Sequence, residues 1–558
     1  MLKTGWLIAI IAVAVLAAVG IIFGNLNQDE GWYLYAAGLV SKGQMPYRDF
    51  AFTQGPVMPY VYALCQPLIR SGGLAAGRLL TCALGVAGAL LAAWLAGRLV
   101  SPGNKQIARL FCFTLLLVNV YQVYFCTVVK TYSLTVFLLA GALLLLHQAL
   151  VKRNGLLTIL AAALLVMAAG ARSSAAVILP VIFCLLWLDR RRLGFPGWIY
   201  FAFGGFIAAV MVFGAFLVQC PDNFIYFVMR YHTLRHEGSP LAALMFKAGL
   251  VSRVLQAYFV CFTFWIAAVI FKLSGRIETF NAQRSKLDVG RWTFNVFKFL
   301  GIKSVLPQLC SHKSSETQTS SASTLIRRSL WLGAIAVSLV HFFAPFPYDD
   351  YQVFIFPFFA IAVSAMLMDA VPSTCSGQAA HGGRWALLAV LCLSLASAVA
   401  SPVNQEWFIE GRELIWWRAK DSPALVKLRR AAARVRSLCK PGDMLLTQDP
   451  YLAVESGCTL PHGLEMGQFS YFPGLTREQA AKLNVLNREM FAELLQNCPA
   501  PVAAFSGYGF AMQAPQITPV LPEDKALFLE TLNTRYEFLE TIPHFGQAST
   551  ELRLFRKK

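Results

Sequence analysis

The sequence predicts an α-helical polytopic membrane protein of about eleven transmembrane helices, followed by a small α/β domain. Three observations carry this expectation. Of the 558 residues, 57% are hydrophobic and only 14% charged, too little polar surface to cover a soluble fold of this length. The apolar residues gather into runs near the roughly 20 residues that cross a bilayer. Beyond residue 400 the composition changes, and polar and charged residues mix with short apolar strands.

The apolar runs lie near 5–24, 75–98, 107–124, 131–151, 155–171, 174–189, 197–219, 246–272, 328–345, 352–369 and 384–400. The first reads as an uncleaved helix with its N-terminus inside; its apolar core is long for a signal peptide. The net charge is +19. Most of it falls in alternate links: Arg98 to Arg109, Lys152-Arg153, Asp189 to Arg192, Lys272 to Arg328, and Ser373 to Arg384. The remaining links hold single or paired charges, namely Arg48, Arg70, Lys130, Arg172, Arg230 and Arg235. This is the asymmetry of the positive-inside rule, so the basic balance implies no nucleic acid. It puts the N-terminus in the cytoplasm and the C-terminal domain outside.

The domains are therefore 1–400 in the membrane and 401–558 in water, with a first outer loop at 25–74 and a cytoplasmic insertion at 273–326. The insertion contains SHKSSETQTSSAST, a disordered composition. Before it, VGRWTFNVFKFLGIKSVLPQL has the pattern of a basic amphipathic helix on the inner leaflet. Trp407, Trp416 and Trp417 read as interfacial anchors. In the C-terminal domain, SPALVKLRRAAARVRSLC reads as a helix capped by Ser422, with Pro423 in its first turn. MLLTQ, VAAFSG, YEFLETI and STELRLFRK read as strands. TREQAAKLNVLNREMFAELLQNC reads as one helix with a capping box at Thr476 and Gln479. The 13 cysteines show neither a CxxC pair nor metal-ligand spacing. Cys439, Cys458 and Cys498 allow one disulfide if their domain lies outside, and the spacing selects no pair.

The stretch NLNQDEGWYLYAAGLVSKGQMPYRDFAFTQGP, residues 25–56, sets two acids, Asp29 and Glu30, at the mouth of the first helix. GWYLYAAGLVSKG then places Trp32, Tyr35-Ala36 and Leu39-Val40 on one face, as in a helix lying in the membrane interface. Pro46 turns the chain, and TQGPVMPYVYALCQPLI starts a second interfacial or re-entrant helix. The acids thus sit near headgroup depth, where a lipid-linked sugar would hold its phosphate. A carboxylate there can take a proton from an acceptor hydroxyl or amine as it attacks the anomeric carbon. The departing lipid phosphate needs Arg or Lys beside it.

An acid pair after helix 1, an aromatic helix, and PYRDFAFTQGPVMPY resemble the first outer loop of GT-C fold glycosyltransferases. The likeness is to the protein O-mannosyltransferase-like branch and the lipid A aminoarabinose transferases. The resemblance implies a polyprenyl-phosphate sugar donor and inverting transfer of a hexosyl or pentosyl group to a cell-envelope glycan, lipid or protein. It implies that Asp29 is the base or acceptor-positioning group, with Glu30 as the second acid. YQVFIFPFF, with Tyr351, Gln352 and Pro357, resembles the family's late helix and brings Tyr351 and Gln352 into the substrate site. Two departures stand out. Relatives carry an acid in the second outer loop, where this chain has VVKTYS with Lys130. No metal constellation is evident, so the metal site is left unassigned and a divalent cation is kept only as an optional cofactor.

Each remaining candidate has a plainer alternative. Lys130 and Arg172 are either snorkelling end-charges or phosphate ligands. Arg230, His232, Arg235 and His236 read first as a basic loop on anionic headgroups, with a wall of the donor phosphate site as the alternative. Arg48 reads as a partner of Asp49, with substrate contact as its alternative. Asp349 and Asp350 read as a solvated turn, with acceptor or cation binding as the alternative. A transporter or flippase of lipid-linked glycans is the rival function. It would place charges along a mid-membrane path, whereas here they stand at helix ends.

Overall fold

The computed structural model describes residues 2–234, 240–284, 316–345, 348–370, 377–400, 422–547 and 549–558. Most of the insertion, the three anchor tryptophans, Arg235 and His236 lie outside the described residues. Five described helices are long and apolar enough to cross a membrane: Leu2–Phe23, Gln66–Arg98, Thr131–Lys152, Gly197–Gln219 and Thr319–Phe343. Two bent pairs, Pro102–Leu117 with Val120–Thr127 (72°) and Leu241–Ala257 with Phe259–Leu273 (80°), raise that number to seven if each is one span. Four further apolar helices are short: Gly155–Ala171, Ser173–Leu188, Phe356–Ala370 and Trp385–Val399. The positions of the expected runs are thus helical, while among the described residues five to seven of them have the length and composition of a full span. The protein is a multi-pass membrane protein built partly from broken and short helices. Non-helical backbone at such depth is tolerated where protein covers it.

The breaks create the site. The acid-loop helix Gln28–Val40 starts at Asn27, whose side chain accepts from Asp29 N while Glu30 reaches back to the Asn27 N–H in a capping box. Most apolar side chains of this helix are covered by protein. Trp32, Tyr33, Leu34, Ala36, Ala37 and Leu39 are all buried, because the C-terminal unit covers the side the membrane bundle leaves open. Gly31 permits that approach, since a Cβ there would stand 2.3 Å from Tyr451 N. The Gln66–Arg98 helix is broken at Gly73, whose φ of 60° and ψ of −143° suit glycine. Glu455 of the C-terminal unit then accepts from Leu74 N at 2.9 Å and caps the resumed helix.

The C-terminal unit is α/β, as expected. Its sheet runs Leu445–Thr447, Val502–Phe505, Thr550–Lys557, Tyr536–Phe545, with the first pair parallel and the others antiparallel. Two local expectations are corrected. The first helix spans Ala424–Leu438 with no side-chain cap from Ser422. The Thr476–Gln479 capping box forms, but the helix it opens stops at Lys482. Asn484 takes a φ of 56°, and Asn487 caps a second helix, Arg488–Asn497.

Candidate active site

At the end of the bundle that carries the acid loop, side chains from six segments of the membrane part and from the C-terminal unit close around a cavity of about 200 Å³. Asp29, on the first turn of its helix, keeps 29% of its side chain exposed. Trp32 Nε1 donates to its Oδ1 at 3.2 Å, and Lys130 Nζ stands 3.2 Å from its Oδ2. Lys130 precedes Thr131–Lys152 in an extended conformation, which points the ammonium inward. The same Nζ donates to Asp350 Oδ2 at 2.9 Å, and the Tyr132 hydroxyl donates to that oxygen at 2.9 Å. One ammonium therefore bridges two carboxylates.

Arg172 occupies the extended break after Gly155–Ala171. Its guanidinium lies over the rings of Tyr132 at 4.6 Å, Tyr351 at 4.5 Å and Phe354 at 5.4 Å. Its Nη1 donates to Thr131 Oγ1 at 3.3 Å, and its Nε is buried without a hydrogen-bond partner. No carboxylate pairs with Arg172 among the described residues. A buried, stacked guanidinium with spare donors favours an anion. The C-terminal unit supplies the facing wall with Phe469, Tyr508, Met512, Ile517 and Gln547. Gln547 is tied to the acid loop, accepting from Asn25 Nδ2 at 2.6 Å and Gln28 N at 3.2 Å.

The sequence-derived candidates divide sharply. Asp29, Lys130, Arg172 and Tyr351 line the cavity. Glu30, expected as a second catalytic acid, is not among the lining residues. It is fully buried and holds Arg78 in a two-pronged pair, Nε to Oε1 at 2.8 Å and Nη2 to Oε2 at 2.6 Å. It also accepts from Val129 N at 3.1 Å and Asn27 N at 3.0 Å. Arg78 spends its other donors on the carbonyls of Ile21, Gly24 and Asn25. Every oxygen of Glu30 is committed, so the residue anchors the loop.

Gln352 does not line the cavity either. It is buried behind Tyr351, accepting from Ser338 Oγ at 3.0 Å and meeting His341 Nδ1 at 3.3 Å. Arg48 is exposed and pairs with Asp49 at 2.7 Å and with Gln219 at 2.8 Å. Arg230 is exposed outside the cavity. His232 braces the loop by donating from Nε2 to the Thr53 carbonyl at 2.8 Å, and only Thr53 reaches the cavity. Replacing Arg48 or Arg230 by alanine should leave turnover within about threefold of wild type, as surface changes do. Initial rates on the single variants check this.

The reading of Asp349 and Asp350 as a solvated turn is also overturned. Both are buried. Asp349 accepts from Tyr121 at 2.6 Å and Arg253 at 3.1 Å, while Asp350 enters the cavity. The sequence signal for them was a pair of acids abutting an aromatic, apolar helix start. The signal for Arg78 was a lone arginine inside an apolar run, which requires a buried partner. As for a divalent cation, the residues do not fit one. Among the described residues, Asp29 and Asp350 are the only carboxylates lining the cavity, and Lys130 already holds the place between them. No group of three or more His, Cys, Asp or Glu side chains among the described residues could bind a metal.

The backbone arrangement resembles that of solved membrane transferases. The crystal structure of ArnT from Cupriavidus metallidurans in the apo state, a lipid A aminoarabinose transferase, superposes with a TM-score of 0.57. The alignment covers 99% of this chain and 98% of that one at 13% identity. The chain has a GT-C fold. Weaker likenesses to GT-C structures are ArnT bound to undecaprenyl phosphate, at TM-score 0.45 and 13% identity over 99% and 98% of the two chains, and the oligosaccharyltransferase AglB from Archaeoglobus fulgidus. AglB, in complex with an inhibitory peptide and a dolichol-phosphate, gives 0.44 at 10% identity over 90% of this chain and 70% of that one. No protein-family model and no curated protein sequence matches the chain.

Proposed function

We propose that this GT-C protein is an inverting glycosyltransferase that moves a hexosyl or pentosyl group from a polyprenyl phosphate to a cell-envelope glycan, lipid or protein. The site would face outward from the cytoplasmic membrane, with the N-terminus inside and the C-terminal unit outside. The observation that carries this reading is the pairing, in one cavity, of a partly exposed carboxylate, Asp29, with a buried guanidinium, Arg172, that no described carboxylate neutralises. The first suits a base and the second suits a phosphate.

The acceptor oxygen or nitrogen attacks the anomeric carbon while Asp29 Oδ takes its proton. The bond from that carbon to the phosphate oxygen breaks, and the lipid phosphate departs carrying the electron pair. Arg172 offers its spare N–H donors to that anion, and Lys130 adds a second positive charge nearby. Lys130 also holds Asp29 and Asp350 in register, so it orients the base as well. Tyr132 and Tyr351 stack on the guanidinium and shield its faces from water. The aromatic wall from the C-terminal unit excludes water from the transfer. A flippase would require no proton acceptor beside the phosphate site, and its charges would lie along a path through the bundle.

A single displacement inverts the anomeric centre, and NMR of the isolated product against the donor tests that reading. Inversion is expected; retention would require a nucleophilic carboxylate and would refute the scheme. Arg172→Lys should weaken donor binding by about tenfold to a hundredfold, because an ammonium cannot reproduce a forked, stacked contact. Competition between labelled donor and unlabelled polyprenyl phosphate in nanodiscs measures it. Unchanged affinity would remove Arg172 from the phosphate site.

A further inference from the structure

We infer that Cys439 and Cys458 form a structural disulfide in the mature protein. Their Sγ atoms lie 3.5 Å apart, both side chains are buried, and their neighbours belong to one apolar cluster. A disulfide holds its sulfurs at roughly 2.05 Å, so about 1.5 Å separates this pair from a bond. Cys498, the third cysteine of this unit, is buried in a separate cluster with its Sγ 3.7 Å from Met444 Sδ. The geometry therefore selects one pair from three thiols.

The position has a purpose. Cys439 ends the helix Ala424–Leu438, and Cys458 follows the helix Pro450–Ser456. The second helix is the one that packs on the acid-loop helix at Gly31 and places Glu455 on Leu74 N. A bond between the two ends would clamp the platform that holds Asp29 in place. Burial pushes the Cys439 thiol up to about 12, which keeps it protonated and slow to react once the unit is folded. An oxidising protein disulfide accepts the two electrons. The thiolate of one cysteine attacks it to give a mixed disulfide, the thiolate of the second displaces the oxidant's sulfur, and the oxidant leaves as its dithiol carrying the two electrons and the two thiol protons.

The inference rests on the proposed outward placement of the C-terminal unit, because an oxidising compartment is required. The test is to express the full chain in bacterial membranes, trap thiols with acid and N-ethylmaleimide, digest without reductant, and map peptides by mass spectrometry. A linked Cys439–Cys458 peptide that reductant separates, with Cys498 alkylated, is expected. Wild type should also melt lower in reductant, while a Cys439→Ser, Cys458→Ser protein should not respond to it. Two alkylated thiols in place of the linked peptide would overturn the disulfide. A membrane-impermeant maleimide on an exposed Glu478→Cys site then separates the cases. Labelling in intact cells whose outer membrane has been permeabilised leaves the outward placement standing, and failure to label removes that placement too.

Discussion

Asp29→Asn is expected to lower turnover by about 100-fold to 10,000-fold, the range a positioned general base contributes, while donor binding survives. The amide has the shape of the carboxylate, and its oxygen still accepts from Trp32 Nε1, which stands 3.2 Å from Oδ1 in wild type. It cannot take the acceptor's proton. The capping of the helix is unaffected, because it depends on the Asn27 side chain and the Asp29 backbone N–H. The folded protein should therefore still compete for labelled donor. Single-turnover release of lipid phosphate, measured beside donor affinity, separates the two effects. A variant with equal rate would remove Asp29 from the chemistry, and one that lost binding alone would make it a donor ligand.

Glu30→Gln is expected to act on the fold instead. It leaves the Arg78 guanidinium buried without its counter-charge, and breaking such a pair costs about 3–5 kcal/mol. The amide nitrogen must also face an arginine or a backbone N–H, since both carboxylate oxygens accept hydrogen bonds now. The consequence is a loosened first loop, seen as a marked fall in the melting temperature in detergent. Arg78→Met should fall similarly, and the double variant should cost less than the sum, because each single change strands the other partner. If Glu30 were a catalytic acid, Glu30→Gln would keep its melting temperature and lose only rate. That contrast distinguishes an anchor from a catalyst with two measurements on one protein.

Adjacent acids with opposite fates explain why the site was only partly legible in the sequence. Hydropathy located the helices well, and the 155–171 and 197–219 runs coincide with the helices formed. Helix periodicity reports only what a segment wants to bury, so the breaks were harder to read. Gly73 and Asn484 turn the chain through positive φ at positions where the local pattern continues. Asp29 stood out because a charge at the edge of an apolar run is costly without a role. Glu30 could not be told from it, since its burial depends on Arg78, 48 residues further along the chain. Asp350 looked like turn chemistry because PYDD is polar locally, and its partners Lys130 and Tyr132 lie more than 200 residues away. Arg172 was recognisable as an interrupted apolar run, but its lack of a carboxylate partner is a fact of three dimensions.

Glycosyl transfer at the Asp29–Arg172 cavity is the central claim, and one measurement tests it most directly. Purified wild type in nanodiscs is incubated with a panel of polyprenyl-phosphate sugars and envelope extract, and free polyprenyl phosphate is followed by mass spectrometry. The account predicts release with at least one donor, dependent on the extract, with the sugar recovered on an acceptor. Movement of the intact carrier between leaflets, with no release from any donor, would contradict it and make the protein a flippase.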